Sequence, residues 1–147
     1  MANPDLVALL RNGVSAWNCV RSQRHGASAA LSVVDLNEAD LSGANLQRAN
    51  LSWVNLSGAN LRGANLEGAN LSGAYLEGAI LDGANLELAS LCKAHLCEAS
   101  LCEAHLGGAD LTGASLRRAD LSGVQFLTID QIKSADTDND TRLPQLL

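Results

Sequence analysis

Three cysteines and two histidines lie between residues 92 and 105, and thiolate and imidazole are the ligands that zinc prefers in proteins. The candidate ligands are Cys92, His95, Cys97, Cys102 and His105. If each five-residue step turns the chain onto a new face, the three thiols point away from one another, and only His95 and Cys97 share a face. Two ligands do not make a structural zinc site, so we predict no metal ion, no cofactor and ordinary outward positions for these side chains.

Asp136, Asp138 and Asp140 match the first ligands of a calcium-binding loop. That loop also needs Gly at its sixth position and Glu at its twelfth, where this chain has Thr141 and Leu147. We therefore expect a solvated loop here and no calcium site.

The histidines give no sign of nucleophilic catalysis, which needs a base that is oriented toward a nucleophile. His25 falls in a linker rich in small residues, and His95 and His105 fall on opposite faces of the repeat. The sequence therefore predicts a protein that is not an enzyme.

A repeat of five residues positions all of these side chains. Every fifth residue from Leu31 to Leu121 is Leu, followed by Phe126, and Ala lies two residues before nearly every one of them. Val replaces that Ala at Val34, Val54 and Val124. The unit is therefore A-(N/D/S)-L-x-x, becoming strict from Ala39.

A period of five fits neither a helix nor a flat strand. Five steps along an α-helix rotate the side chain by roughly 140°, which would spread the leucines around the cylinder. In a strand, alternate leucines would face opposite sides of the sheet. A chain that turns one corner in each unit keeps every Leu and Ala inside, and Asn, Asp, Ser and Gly in the repeat suit such turns. Short units of this kind bury their apolar residues only by stacking.

The A-(N/D)-L-x-x pattern resembles the pentapeptide-repeat proteins of bacteria. The resemblance implies an all-β solenoid, a right-handed quadrilateral parallel β-helix with four units per coil. Residues 31–126 would then form about five coils, a rod roughly 24 Å long at the spacing of paired strands. We expect a single structural domain with a different segment at each end.

Residues 1–30 are predicted to form a helical cap and a linker. One helix begins after Asn3 and Pro4, and a second runs from Val14 to Arg24. The run 13–18 followed by Arg21 resembles a leader found before many pentapeptide repeats, commonly in cyanobacteria. An uncapped first coil would expose an apolar end and unpaired backbone groups, and Trp17 is the candidate lid.

Residues 127–147 are predicted to close the other end. Thr128 and Gln131 form a capping box, and Leu127 and Ile132 add a hydrophobic staple to a helix that ends near Ala135. Residues 143–147 supply apolar side chains that could fold back over the last coil. This tail also resembles endings common in the family.

Large apolar residues at outward positions are candidates for contact with a partner. They are Trp53, Tyr75, Ile80 and Leu88, all expected to face solvent. Because successive units lie on successive faces, the last three of them should lie on three sides of one coil and should not form one patch. Trp53 and Tyr75 are the apolar residues that we predict to bind a partner.

Acidic residues collect on two neighbouring faces. The face of Leu41 and Leu61 carries four acids, Asp40, Asp82, Glu103 and Asp120, against one base, Arg62. The face of Leu36 and Leu56 carries four acids against two bases; these are Asp35, Glu38, Glu77 and Glu98 against Arg117 and Arg118. Quinolone-resistance members of the family are described as rod-shaped mimics of DNA that occupy gyrase. Asp40, Asp82, Glu103 and Asp120 are therefore a second set of candidate binding residues.

Composition limits the remaining choices. A net charge of −6 disfavours direct binding of nucleic acid, and no apolar run is long enough to span a membrane. Four cysteines without a signal segment fit a reducing compartment, so we predict a cytoplasmic protein and favour a monomer. The predicted function is a non-catalytic protein-interaction or structural module whose partner is another, unidentified protein. The alternative is a DNA-mimicking modulator of gyrase or topoisomerase.

Overall fold

A computed structural model describes residues 2–24 and 28–145. It contains three helices, α1 (Pro4–Arg11), α2 (Val14–Gln23) and α3 (Ile129–Ser134). Between α2 and α3 the chain forms isolated parallel bridges that join residues 20 positions apart, from Ala30 and Asn50 to His105 and Gln125. The sheet-like pairing of the described residues is therefore one residue wide on each face, with a corner in every five-residue unit.

The inside of each coil is built from leucine and alanine. Every repeat leucine from Leu31 to Leu121 is 2% exposed or less, and Val54 takes the place of an alanine at 0%. Complete burial of one such leucine contributes roughly 1.5–3 kcal/mol to folding. Since no unit can bury its own pair without neighbours, the repeat pattern itself produces the stacked coil.

The corners follow from the residues on either side of each leucine. At Asn60, for example, the side-chain Oδ1 accepts a hydrogen bond from the backbone N–H of Arg62 at 3.1 Å, which fixes the turn. The next residue, Gly63, then has a φ of 61°. Backbone bonds tie each coil to the next, as where Leu61 N–H donates to the Ile80 oxygen at 2.7 Å. The predicted turn chemistry is confirmed.

Phe126 does not continue the inward column, so this part of the prediction was wrong. Its side chain is 66% exposed, and Leu127 is buried at 9% exposure instead. The last paired residue of the repeat is Gln125, and Phe126 directly after it has a φ of 60°. In a regular unit the positive φ comes three residues after the paired residue, and here it comes two positions earlier, because the chain leaves the coil to begin α3.

Side chains of α1 and α2 bond to the backbone of the first coil. Trp17 is fully buried, and its Nε1–H donates to the Asn45 oxygen at 2.8 Å. Asn18 accepts from the Asn45 N–H at 2.7 Å and donates to the Gly43 oxygen at 3.0 Å. Two arginines donate to further backbone oxygens, Arg11 to Asp35 and Arg21 to Gln47. Backbone groups at this edge of the coil, which have no preceding coil to pair with, are thus bonded by side chains.

The capping box before α3 is confirmed. Thr128 Oγ1 accepts from the Gln131 N–H at 3.2 Å, and Gln131 Oε1 accepts from the Thr128 N–H at 2.8 Å. Gln131 Nε2 also donates to the backbone oxygens of Leu106 and Ala109, at 2.7 and 2.9 Å. One side chain therefore begins the helix and ties it to the last complete coil.

The described part of the tail pairs with the last coil through its backbone. Asp136 and Arg142 form bridges with Ser115 and Asp120. Leu143, predicted to fold over the coil, is 43% exposed, so the prediction was wrong for that residue. The last two leucines of the predicted apolar tail lie outside the described residues.

Candidate functional site

Two exposed aromatic residues from different coils line one groove. Trp53 is 53% exposed and Tyr75 is 41% exposed, and Val33 beside them is 75% exposed. The cavity between them has a volume of about 400 Å³. We call this site the aromatic groove; its lining residues are Val33, Val34, Asp35, Trp53, Asn55, Ser57 and Tyr75.

The position of Trp53 depends on the glycine in the next coil. Trp53 and Gly73 occupy the same corner in successive coils, with φ values of 57° and 66°. A Cβ atom at Gly73 would lie 2.5 Å from the Trp53 ring, so the ring rests against the backbone of that glycine. The missing side chain at residue 73 is what lets the indole lie along the edge of the rod.

Tyr75 is held in place by its neighbours in the preceding and following coils. Its backbone bridges Asn55 in the preceding coil and His95 in the following one. The Tyr75 and His95 rings are stacked, with centroids 5.0 Å apart and planes 9° apart. Stacked rings of this kind add to the stability gained from burial alone. The ring of Tyr75 is therefore supported on one side and open on the other.

Val33 has a conformation that suits its side chain poorly. Its φ is 63°, and it is the one β-branched residue among the non-glycine residues of positive φ in the described chain. This region costs an L-residue roughly 1–2 kcal/mol, and it is least favourable for β-branched side chains. A strained and largely exposed valine does not serve the core, which is a reason to connect it with the site.

The pairing of Trp53 with Tyr75 does not follow from the sequence analysis, which also missed Val33. Val33 lies 20 residues before Trp53, in the same corner column, so an alignment of the chain at that offset would find it. The other two apolar candidates lie outside the groove. Ile80 is half-buried rather than exposed, and Leu88, 69% exposed, lies over Gly108 on another corner.

Two of the predicted acidic site residues have structural partners. Asp82 forms an ion pair with Arg62 at 3.5 Å and accepts hydrogen bonds from Ser100 Oγ at 2.5 Å and Cys102 N–H at 3.2 Å. Its carboxylate thus joins neighbouring coils. The Asp82 carboxylate is therefore engaged by groups of the same chain and is not free for a partner.

Asp120 is placed in a similar way. Hydrogen bonds from the Ser122 side chain and backbone lower the pKa of Asp120 below its usual value, and the charge of Arg142 adds to this effect. Arg142 lies 3.5 Å from the Asp120 carboxylate. The structure thus brings a tail arginine to this acidic face, which a charge count over the repeat alone does not include.

Asp40 and Glu103 complete the predicted acidic set, and neither takes part in an ion pair within the described residues. Ser42 donates hydrogen bonds that lower the pKa of Asp40. Glu103 lies over Gly123, where an added Cβ would be 3.2 Å from the Glu103 Cγ. The structure therefore divides the four acids into two with ion-pair partners and two without.

On the neighbouring face, both arginines belong to ion pairs at the C-terminal end. Arg117 lies 2.8 Å from Asp136, which raises the pKa of the guanidinium, and Arg118 lies 3.0 Å from Glu98. The ion pairs of the described residues do not include the three acids in the first coils of this face, Asp35, Glu38 and Glu77. The N-terminal half of this face is therefore acidic without compensation by its own arginines.

The three cysteines predicted at outward positions are half-buried, and two of them contact neighbouring hydroxyls. Cys97 Sγ lies 3.1 Å from Ser115 Oγ, and Ser100 Oγ donates to Cys102 Sγ at 3.5 Å. Within residues 2–24 and 28–145, no three His, Cys, Asp or Glu side chains come together in a way that could hold a metal ion. His25 lies outside the described residues.

In the loop that resembled a calcium site, two of the three carboxylates bond to other groups of the protein. Asp136 pairs with Arg117, and Asp138 Oδ1 accepts from the Arg118 N–H at 3.1 Å. That hydrogen bond is the main cause of the lowered pKa of Asp138. These two carboxylates attach the tail to the last coil.

Comparison with known proteins identifies the class of this solenoid. The profile described as pentapeptide repeats matches residues 35–73, 69–97 and 94–126, in 8 copies. Four corners per coil and bridges at every twentieth residue agree with a right-handed quadrilateral β-helix, the fold of this class. The chain belongs to the pentapeptide-repeat family.

Several solved structures are similar to this chain. A pentapeptide repeat protein from the thylakoid lumen of Arabidopsis thaliana is 34% identical, with a TM-score of 0.57, over 76% of this chain and 83% of that one. HetL, from the cyanobacterium Nostoc sp. strain PCC 7120, is 31% identical over 80% of this chain and 62% of its own, with a TM-score of 0.42. Rfr23, from the cyanobacterium Cyanothece 51142, is 27% identical over 86% and 97%, with a TM-score of 0.45. Comparison with curated protein sequences gave no match.

The helices of the described chain do not include a membrane-spanning segment. The longest, α2, has 10 residues, and a bilayer crossing needs about 20.

Proposed function

We propose that the protein is a non-catalytic protein-interaction module whose partner binds at the aromatic groove. The observation that supports it is the exposure of Val33, Trp53 and Tyr75 around one cavity, in a solenoid whose core needs only leucine and alanine. Aromatic side chains with both apolar area and little conformational entropy are the commonest anchors of protein interfaces. The fold thus supplies a rigid rod, and the groove supplies the contact.

We further propose that α1 and α2 cap one end of a rod of about five coils and that α3 and the tail cap the other. The side-chain bonds from Trp17 and Asn18 to the first coil, and from Gln131 to the last, support this arrangement. Since both ends bond to segments of the same chain, a monomer that offers its sides to a partner is the proposed state. The cytoplasm remains the compartment proposed from the cysteine usage.

Modulation of gyrase through the acidic faces is the second candidate. Asp40 and Glu103 support it, because both are acidic side chains outside the ion pairs of the described residues. Arg62 and Arg142 lie on the same face as Asp82 and Asp120 and reduce its negative charge. A supercoiling assay should compare the parent with the variant Asp40→Lys, Glu103→Lys, since reversing Asp82 would also break bonds between coils. Inhibition that this variant loses would favour the DNA-mimic function.

The interaction proposal is tested by affinity capture from a lysate of the native organism, with quantitative mass spectrometry. The parent protein is compared with the double variant Trp53→Ala, Tyr75→Ala, and with Leu88→Ala as a control for loss of an exposed apolar side chain elsewhere. Thermal melts establish that all three are folded. We expect a protein that the parent and the control retain and the double variant loses. An unchanged set of captured proteins would contradict the proposal.

A further inference from the structure

We propose that the segment bound in the aromatic groove is basic, with an arginine or lysine side chain beside an apolar one. This inference rests on the proposed function and specifies the chemistry of the partner. It is carried by the joint presence of aromatic surface and carboxylates that form no ion pair within the described residues.

The first carboxylate belongs to the groove itself. Asp35 lines the cavity beside Val33 and Trp53. Its Oδ1 accepts from the Asn37 N–H at 3.0 Å and from Asn55 Nδ2 at 3.2 Å. Both bonds go to neutral donors and to the same oxygen, so the second oxygen of the Asp35 carboxylate is available for a charged group at the cavity wall.

The second carboxylate lies next to the lining. Ser57 is part of the groove, and its Oγ donates to Glu77 Oε2 at 3.2 Å. The Ser57 hydroxyl thus links the Glu77 carboxylate to the cavity wall. Two acids therefore flank the aromatic rings, one in the first coil and one in the third.

The ion pairs of the described residues do not involve the acids of the groove. Arg117 and Arg118 are paired with Asp136 and Glu98 at the C-terminal end. Arg11 approaches Asp35, but its Nη2 donates to the backbone oxygen at 2.6 Å, in a second cavity that Asp35 also lines. Within the described residues no ion pair joins a cation to Asp35 or Glu77. Both carboxylates can therefore form an ion pair with a cation of the partner.

The aromatic rings favour the same ligand. Guanidinium and ammonium groups bind over the faces of Trp and Tyr, and their aliphatic stems pack on apolar surface. Trp53 and Tyr75 are half-exposed, and Val33 and Val34 extend the apolar part of the wall. A basic residue next to a leucine or a similar side chain matches both parts of the lining, whereas an acidic segment would be repelled by Asp35 and Glu77.

The two tryptophans of the chain allow a direct test by NMR, because they differ in exposure. The Trp53 indole is at the groove, while the Trp17 indole is buried and bonded to the Asn45 oxygen, so it serves as an internal reference. The full chain, labelled with ¹⁵N, is titrated with the capped peptide Gly-Leu-Arg-Leu-Arg-Gly, and then with the same peptide carrying Glu for Arg. We expect saturable movement of the Trp53 indole signal with the first peptide and none with the second, while the Trp17 signal stays in place.

Matched variants assign the effect to the two carboxylates. Asp35→Asn, Glu77→Gln should weaken binding of the arginine peptide roughly three- to tenfold, because exposed ion pairs are individually modest. Glu67→Gln, Glu87→Gln removes the same charge from another face and should leave the affinity unchanged. Equal binding of both peptides, or an equal loss in both double variants, would overturn the inference.

Failure of this inference can be separated from failure of the proposed function. If neither peptide moves the Trp53 signal, the basic-segment inference is wrong. The interaction proposal would still stand if capture of a partner depends on Trp53 and Tyr75, and it falls only if capture does not.

Discussion

The interior of the solenoid and its corners differ in the residue types that they accept. Inside, Ala84 and Leu86 are 0% exposed, and their columns contain little besides alanine and leucine. At the corners, the residue of positive φ ranges from Gly63 to Trp53 with almost the same backbone angle. The interior therefore specifies the fold, while the corners accept different side chains and can carry a binding surface.

Two of the large corner side chains share a further feature. Trp53 lies over Gly73, and Leu88 lies over Gly108, each 20 residues later. Each side chain extends along the rod into the space that the glycine leaves open. Val33 and Glu98 are followed at the same offset by Trp53 and Arg118, so the glycine is a feature of particular corners and not of all of them.

The largest effect is expected from adding the same side chain to both regions. Ala84→Leu should destabilise the fold by roughly 1–3 kcal/mol or more, because the interior has no room for it. Arg48→Leu places leucine over Gly68, the arrangement that Leu88 already has with Gly108, and should change stability by less than about 0.5 kcal/mol. Thermal or denaturant unfolding measures both, and a variant at residue 84 as stable as the parent would show that Ala84 does not face inward.

A smaller difference in stability is expected between substitutions at two corner glycines that have the same φ. Gly83→Ala, with nothing within 4 Å of the added Cβ, should cost only the strain of its φ of 66°, about 1–2 kcal/mol. Gly73→Ala has the same φ and also displaces the Trp53 ring, and should cost about 1 kcal/mol more. Acrylamide quenching should increase for Trp53 in the second variant alone. Equal stability and equal quenching would show that the ring does not rest on Gly73.

The pH dependence of stability should reflect the corner carboxylates. Ser122 lowers the pKa of Asp120 below its ordinary value of 3.8, so the ionised form is favoured by folding. The stabilisation is complete above that value and is lost as the pH falls through the lower pKa of the folded state. The gap in melting temperature between the parent and Asp120→Asn should therefore narrow on going from about pH 5 to about pH 2. A gap independent of pH would contradict this role of Asp120.

The smallest effect is expected for an exposed ion pair. Arg62 and Asp82 are 3.5 Å apart, and the arginine side chain is 60% exposed. Removing the cation by Arg62→Ala should change stability by about 0–1 kcal/mol, less so at high salt. A loss of several kcal/mol in urea unfolding would mean that the corner surface contributes far more to the stability of the fold than an exposed ion pair should.

Much of the fold can be predicted from sequence because it is periodic. The inward leucines, the turns after Asn60 and its equivalents, and the capping box at Thr128 and Gln131 all depend on contacts between residues close in sequence or at a fixed offset. The prediction for Phe126 was wrong because this residue fits the five-residue period, but the chain turns early there to begin α3. A period describes the coil and does not reveal where the chain leaves it.

The candidate site was only partly predictable. Trp53 and Tyr75 are each recognisable in the sequence as large outward residues. Whether they line one groove depends on how each side chain is oriented along the rod. The pairing of Arg142 with Asp120 depends on the path of the tail, which no repeat encodes. The offset of 20 residues is the signal that places Val33, Trp53 and Gly73 in one column.

The role of the aromatic groove in binding is tested by the affinity of the Gly73→Ala and Gly83→Ala variants for the Gly-Leu-Arg-Leu-Arg-Gly peptide. Both substitutions carry the same backbone strain, both keep every side chain of the aromatic groove, and only the first displaces the Trp53 ring. If the groove binds the partner, Gly73→Ala should weaken binding about tenfold, and Gly83→Ala should bind like the parent. Equal affinities for the two variants would show that Trp53 is not part of the binding site.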